Sequence, residues 1–249
     1  MGSVDTTSPA TAATQGIDPS FYEGRDLDVL VDIPNYYSWI LEQFRKYLRG
    51  RVIEVGAGIG NVAARYADWV DELLLVEPAE NLYPRLRDRF ADRSHVQTRC
   101  ALLETLSESF PPFDSAILIN VLEHVPDDLG MLQTLHAMLK PGGALLLYVP
   151  AMTWLFGSLD RTMQHVRRYD KNGLITLVER AGFQLQSIRY LDVVGVIPWL
   201  IVGRVLKRRF LNARSAQLYD RWIVPAERRV ERWVNPAFGK NLICIAQKG

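Results

Sequence analysis

Between Arg51 and Asn61 the chain reads RVIEVGAGIGN, and no other stretch constrains its fold as strongly. Val52, Ile53 and Val55, with Glu54 among them, favour a strand. Gly56, Gly58 and Gly60 follow at alternate positions, and then Val62, Ala63, Ala64, Tyr66, Ala67 and Trp69 recur with a helical pattern. A strand, a glycine turn and a helix open a nucleotide-type βαβ unit. Glycine lets the backbone turn sharply and approach a ligand closely, and the helix after it aims free N–H groups at whatever lies over the turn.

A second apolar run, 71–77, ends in Glu77 and Pro78. Glu77 lies 17 residues after Gly60, near the ~20-residue spacing at which an acid meets a ribose in dinucleotide folds. A carboxylate there can accept from two hydroxyls at once. Further strands are expected at 95–100, 113–120, 144–150, 183–190 and 241–247, and charged or amphipathic helices at 81–93, 128–139 and 171–181. Lys140 to Gly143 reads as a turn closing the helix before it. Apolar strands alternating with helices imply a parallel sheet covered on both faces.

Residues 1–16 are rich in Ser, Thr, Ala and Gly and read as a disordered tail. Residues 17–50 read as an N-terminal helical cap, with Pro34 at a helix start and Tyr36, Trp39, Ile40, Phe44, Tyr47 and Leu48 at helical spacing. The remainder, 51–249, reads as one domain carrying a helical insertion or lid at 191–240. That insertion opens apolar and turns basic: from Arg204 to Arg232 it holds nine Arg or Lys against three acids. Trp222, Ala226, Val230 and Trp233 mark one face of a helix within it. It packs on the sheet with a solvated basic face, or forms a substrate lid, a dimer surface or a contact with an anionic membrane.

A net charge of +1 gives no global argument for nucleic acid. Two cysteines without metal spacing, Cys100 and Cys244, read as buried thiols in a reducing compartment. No apolar run reaches the ~18–20 residues of a membrane span. The N-terminus lacks a basic-then-apolar leader, which implies the cytoplasm. No metal-ligand cluster stands out.

As a set, residues 54–60, Glu77 with Pro78, Phe113 with Asp114, Asn120 to Pro126 and Leu139 to Gly143 resemble the class I S-adenosylmethionine-dependent methyltransferases. Their order and spacing cover about 50–190 plus the final strand. The ending from Asp160 to Lys248 is similar to a bacterial subgroup (type 11/12-like) linked to small-molecule, sugar or polyprenyl-linked substrates. The resemblance implies a Rossmann-like α/β fold, a seven-stranded mixed sheet of order 3-2-1-4-5-7-6 with helices on both faces and a helical insertion before the last strand.

It also implies roles. Glu54, Gly56, Ala57, Gly58 and Gly60 would lie against the methionine part and ribose of S-adenosylmethionine, and Glu77 would hold the ribose hydroxyls with Pro78 near adenine. Asn120, Val121 and Leu122 would border the methionine and the methyl. The family's adenine-binding acid after the third strand is missing unless Glu104 substitutes, so Ala101 and Leu102 would bind adenine through backbone groups.

His165, after the fifth strand, is the candidate base, with Tyr169 orienting the acceptor. Arg167 and Arg168 would bind an anionic group on it, or pair with Asp160, Asp170 or Glu123. Tyr22 and Tyr36 would close over the ligand. The expected activity is methyl transfer to a small-molecule or lipid- or sugar-linked acceptor, with oxygen favoured over nitrogen or carbon. A peripheral membrane contact through 191–240 is compatible with it, and monomer and homodimer both remain open. The alternatives are a nicotinamide oxidoreductase and a non-catalytic, membrane-associated cofactor binder. The oxidoreductase fingerprint puts its third glycine five residues after the first; here Gly60 is four after Gly56.

Overall fold

A computed structural model describes residues 20–22, 33–106, 110–208 and 212–249. The tail expected at 1–16 lies outside them. Seven strands form one sheet: β1 (Arg51–Val55), β2 (Glu72–Val76), β3 (Val96–Arg99), β4 (Phe113–Ile119), β5 (Leu139–Pro150), β6 (Phe183–Leu191) and β7 (Asn241–Lys248). Their order is β3-β2-β1-β4-β5-β7-β6, as expected from the resemblance. The first five pair in parallel, and β7 runs antiparallel between β5 and β6.

The central strands are apolar on both sides because both faces are covered. Val52, Leu73, Leu75, Ile117, Leu146, Ile243 and Ile245 point to one core, whereas Ile53, Val55, Leu74, Val76, Ala116, Leu118, Leu145 and Leu147 point to the other. That alternation is the two-residue period of a strand. The outermost strands, β3 and β6, are only partly buried.

Helix α1 (Pro34–Phe44) packs Tyr37, Trp39, Ile40, Leu41 and Phe44 into the first core. It has no N-cap side chain of its own. Asp220 supplies one from far along the chain: Oδ1 accepts from Tyr36 N at 2.8 Å, and Oδ2 accepts from Asn35 N at 3.2 Å. A carboxylate at a helix N-terminus satisfies donors that would otherwise be orphaned and complements the helix dipole. Nearby, Asp192 accepts from the hydroxyls of Tyr36 (2.7 Å) and Tyr219 (2.6 Å) and pairs with Lys240 at 2.6 Å. These bonds fasten α1 and the insertion to the sheet.

Several details differ from expectation. The helix expected at 81–93 is shorter, α3 (Tyr83–Arg89), following α2 (Ala63–Tyr66). Asn81 instead brackets Tyr22, accepting from its N–H at 3.0 Å and donating to its carbonyl at 2.9 Å. Helix α4 (Asp128–Met138) ends where β5 begins, because Leu139 pairs with Phe113 across a bulge. The turn residues Lys140 to Gly143 therefore belong to the irregular start of that strand. Cys244 is buried, whereas Cys100 is exposed where the chain leaves the edge strand β3.

The helices of the insertion are short. After α5 (Ser158–Thr162) and α6 (Lys171–Arg180) come α7 (Val196–Trp199), α8 (Ala213–Leu218) and α9 (Val224–Glu231). The face carrying Trp222, Ala226, Val230 and Trp233 points outward. The buried residues of α9 are Val224, Glu227 and Glu231. The two acids are drawn inward by exposed backbone donors: Glu227 accepts from Val194 N at 2.7 Å and from Tyr219 Oη at 3.1 Å, and Glu231 accepts from Val193 N at 3.2 Å.

Candidate functional site

At the carboxyl ends of the parallel strands lies a cavity of about 820 Å³, walled at one end by the glycine turn and at the other by residues after β5 and from the insertion. Ligands gather at this edge of open α/β sheets. The alternation of glycines has a direct backbone cause, since Gly56, Gly58 and Gly60 take φ of +68°, +56° and +78°. A Cβ at Gly56 would lie 2.5 Å from the Val121 side chain. Gly56, Ala57 and Gly58 face the cavity, but Gly60 does not: it packs under Phe90 and Leu86 and closes the turn.

Two carboxylates project beside this turn. Glu77 is buried, with Oε2 accepting from Gly58 N at 2.7 Å and Oε1 from Ala79 N at 2.8 Å. Burial raises its pKa, and those two bonds oppose the rise. Each oxygen keeps a lone pair for a further donor. Glu54 accepts from Tyr66 Oη at 2.6 Å. Burial pushes its carboxyl up to about 8, and Glu77 adds to the rise. A cation between the two would reverse that penalty.

Pro78, Ala101, Leu102 and Glu104 line the flank beyond Glu77, and Asn120 and Val121 lie over the end of β4. Asn120 sits in the left-handed region at φ +53° with its N–H bonded to Tyr148 O at 2.8 Å. Leu122 is wholly buried beneath and takes no part in the wall.

The opposite end is built around a buried carboxylate. Asp160 Oδ1 takes His165 Nδ1 at 3.0 Å and Arg168 Nε at 2.7 Å, while Oδ2 accepts from Gly157 N at 2.9 Å. Burial pushes the Asp160 carboxyl up, but the bond from His165 and the charge of Arg168 outweigh it and hold it below the usual range. An ionised carboxylate only accepts, so in neutral His165 the proton sits on Nδ1 and Nε2 is left as the acceptor. Nε2 lies 3.8 Å from Glu123 Oε1. Glu123 is fully buried with no hydrogen bond to either oxygen, and burial raises it to about 7. The His124 ring stands edge-on to His165 with centroids 4.8 Å apart, and burial drives it down to about 3.

His165, Arg168, Tyr22 and Tyr36 all line the cavity. Arg167 and Tyr169 do not. Arg167 pairs with Asp128 at 2.6 Å and donates to Pro126 O at 2.7 Å. Tyr169 is buried and donates to Leu122 O at 3.1 Å and Asp128 Oδ2 at 3.0 Å. Both brace α4 against the segment after β5 and are corrected to that role. Arg168 reaches the wall but is neutralised by Asp160 and donates to Ala151 O at 2.7 Å. Each arginine is thus already paired with a carboxylate.

Arg168→Ala should accordingly act on stability. Breaking a buried pair by removing one partner costs about 3–5 kcal/mol, so the urea midpoint should fall sharply. An unchanged midpoint with a raised acceptor KM would restore the binding role.

Sequence reasoning missed Trp199, Lys240 and Asn241, which close the far wall. Trp199 lies between two cations, with Arg168 at 4.9 Å and Lys240 at 5.5 Å from its ring centre. It also missed that Glu123, His124 and His165 bring potential metal-ligand atoms within 4.8 Å of one another. Their separation along the chain hid that cluster.

A family model described as a methyltransferase domain matches residues 32–188. A ubiquinone biosynthesis O-methyltransferase of Xanthomonas campestris pv. campestris (strain B100) is 27% identical over 179 residues, 65% of this chain and 73% of its own length. One of the same name from Coxiella burnetii (strain RSA 331 / Henzerling II) is 23% identical over 163 residues, covering 60% and 68%. Among solved structures, the N-methyltransferase NodS of Bradyrhizobium japonicum WM9, in complex with S-adenosyl-L-homocysteine, superposes with a TM-score of 0.59 at 14% identity, over 91% of this chain and 93% of that one. An S-adenosylmethionine-dependent methyltransferase of Mesorhizobium loti gives 0.60 at 14% identity, over 88% and 100%.

Proposed function

The chain belongs to the methyltransferase-domain family, and from that premise we propose that it carries a methyl group from S-adenosylmethionine to an oxygen of a small acceptor, free or linked to a lipid or sugar, with His165 as base. The observation that carries the choice of oxygen is the His165–Asp160 bond on the cavity wall. It leaves Nε2 of the neutral ring as a proton acceptor on a residue that lines the cavity. The curated relatives named O-methyltransferases support the same choice.

In this reading the spare lone pairs of Glu77 hold the two ribose hydroxyls. Glu54 faces the cationic methionine part, and the backbone of Gly56 to Gly58 allows close approach. Ala101 and Leu102 border adenine, and Asn120 and Val121 border the methionine. Bound there, S-adenosylmethionine supplies a methyl group on a positively charged sulfur that is already a good leaving group. The protein's part is then alignment and exclusion of water. Tyr22 and Tyr36 cover the cavity, and His165 Nε2 takes the hydroxyl proton, with Asp160 stabilising the resulting imidazolium.

Labelled methyl supplied on S-adenosylmethionine should appear in product as a base-stable ether. Label on nitrogen or carbon would overturn the choice of oxygen.

Glu54 gives a pH test. It holds a proton up to about pH 8 in the unliganded protein, and a cationic ligand favours the ionised form. Binding therefore releases a proton, and affinity for S-adenosylmethionine should climb as pH rises toward that value, by up to about tenfold per unit, then level off. Calorimetry across pH should show this, and Glu54→Gln should flatten the profile. A flat wild-type profile would separate Glu54 from the cation.

A further inference from the structure

The segment after Asp192 builds a wall of the cavity with one face and leaves the other bare. Trp199 lines the cavity, and Val196 and Gly203 are buried beside it. The seat is close: a Cβ on Gly157 would come within 2.8 Å of Gly203 O. Outward, Ile197 in α7 and Ile201 and Val205 in the π-helical turn Leu200–Val205 that continues it follow one another at four-residue steps. They are 62%, 44% and 67% exposed, and Val194, Leu206 and Trp154 are exposed with them. The Arg204 guanidinium donates to Trp154 O and holds that residue beside the stripe. Because the inner face is tightly packed, the outer exposure is a property of the fold.

Charge distinguishes this surface from an ordinary apolar patch. No Asp or Glu occurs from Val193 to Tyr219, while Arg204, Lys207, Arg208, Arg209 and Arg214 do. The first three of these are exposed. The protein as a whole carries only +1, so the positive charge is local. A two-fold contact with a second copy would set this basic surface against itself. A layer with an apolar interior and an anionic surface answers both features. Tryptophan is also the residue enriched where water meets lipid. Among the described residues no helix is long and apolar enough to cross a membrane, so the segment would lie on the surface.

The geometry points to the outer face of residues 194–208, together with Trp154, as a docking surface for an anionic bilayer, which places the cavity wall carried by Trp199 directly behind the lipid contact. This deepens the reading of a lipid-linked acceptor and rests on it only there, because lipid binding is measured without turnover.

The test is flotation of the full chain with phosphatidylcholine vesicles, with and without phosphatidylglycerol. Binding should require phosphatidylglycerol and fall with added salt. The Lys207→Glu, Arg208→Glu double variant should lose at least about tenfold in affinity. The Ile197→Ser, Ile201→Ser, Val205→Ser triple variant should lose about a hundredfold. Both act on exposed side chains, so circular dichroism and S-adenosylhomocysteine affinity should match the wild type. Absence of flotation, equal binding to both vesicles, or a dimer dissolved by the serine variants would each overturn the proposal. If flotation succeeds but S-adenosylhomocysteine is not bound, the cofactor reading fails and the docking surface stands.

Discussion

Glu77→Ala is expected to weaken S-adenosylhomocysteine binding by roughly a thousandfold. The figure follows from two hydrogen bonds between a charged carboxylate and ribose hydroxyls, each worth about 2 kcal/mol, since 1.4 kcal/mol is a factor of about ten. The site magnifies the effect, because Glu77 also accepts from Gly58 N and Ala79 N. One side chain thus sets the shape of the glycine turn and offers the remaining acceptors. Glu77→Gln separates these duties: it keeps the volume and one carbonyl acceptor, and its loss should be nearer tenfold. Calorimetric titration of each variant provides the check. An alanine variant that binds as tightly as wild type would take Glu77 out of the ribose role.

His165→Ala should lower kcat by about 10²–10⁴, the usual contribution of a positioned acid or base, with cofactor affinity within about twofold of wild type. The arrangement favours a clean result. Asp160 keeps Arg168 and Gly157 N as partners when His165 is gone, so its own buried charge is not stranded. Turnover unaltered by the substitution would mean that the acceptor gives up its proton unaided.

The glycine-turn end of the cavity was legible because it is local in sequence. Alternating glycines record three positive φ angles, and an acid at the end of the next strand follows within a few residues of where the fold needs it. Gly60 and Leu122 show the limit of that reading, since the motif includes them for the turn and the core, not the cavity wall. The opposite end was not legible because it is assembled from distant segments. Arg167 and Arg168 look alike in sequence, and only packing shows one braced against Asp128 and the other committed to Asp160. The face marked by Trp222, Ala226, Val230 and Trp233 shows a related limit. Periodicity finds an apolar face but cannot see that backbone donors at Val193 and Val194 pull the opposite, acidic face inward.

The capping of α1 by Asp220 has a consequence for how the molecule is made. On the ribosome, the segment Pro34–Phe44 is finished long before the residue that completes its first turn, which follows Asn35 by 185 positions. At the usual rate of synthesis that interval is roughly ten to forty seconds. Through it, a nascent helix with Trp39, Ile40 and Phe44 waits without its cap, while the early strands can already assemble. The roof over the cavity is therefore one of the last parts to close, and a truncation upstream of Asp220 would leave the first helix unfinished along with the missing end.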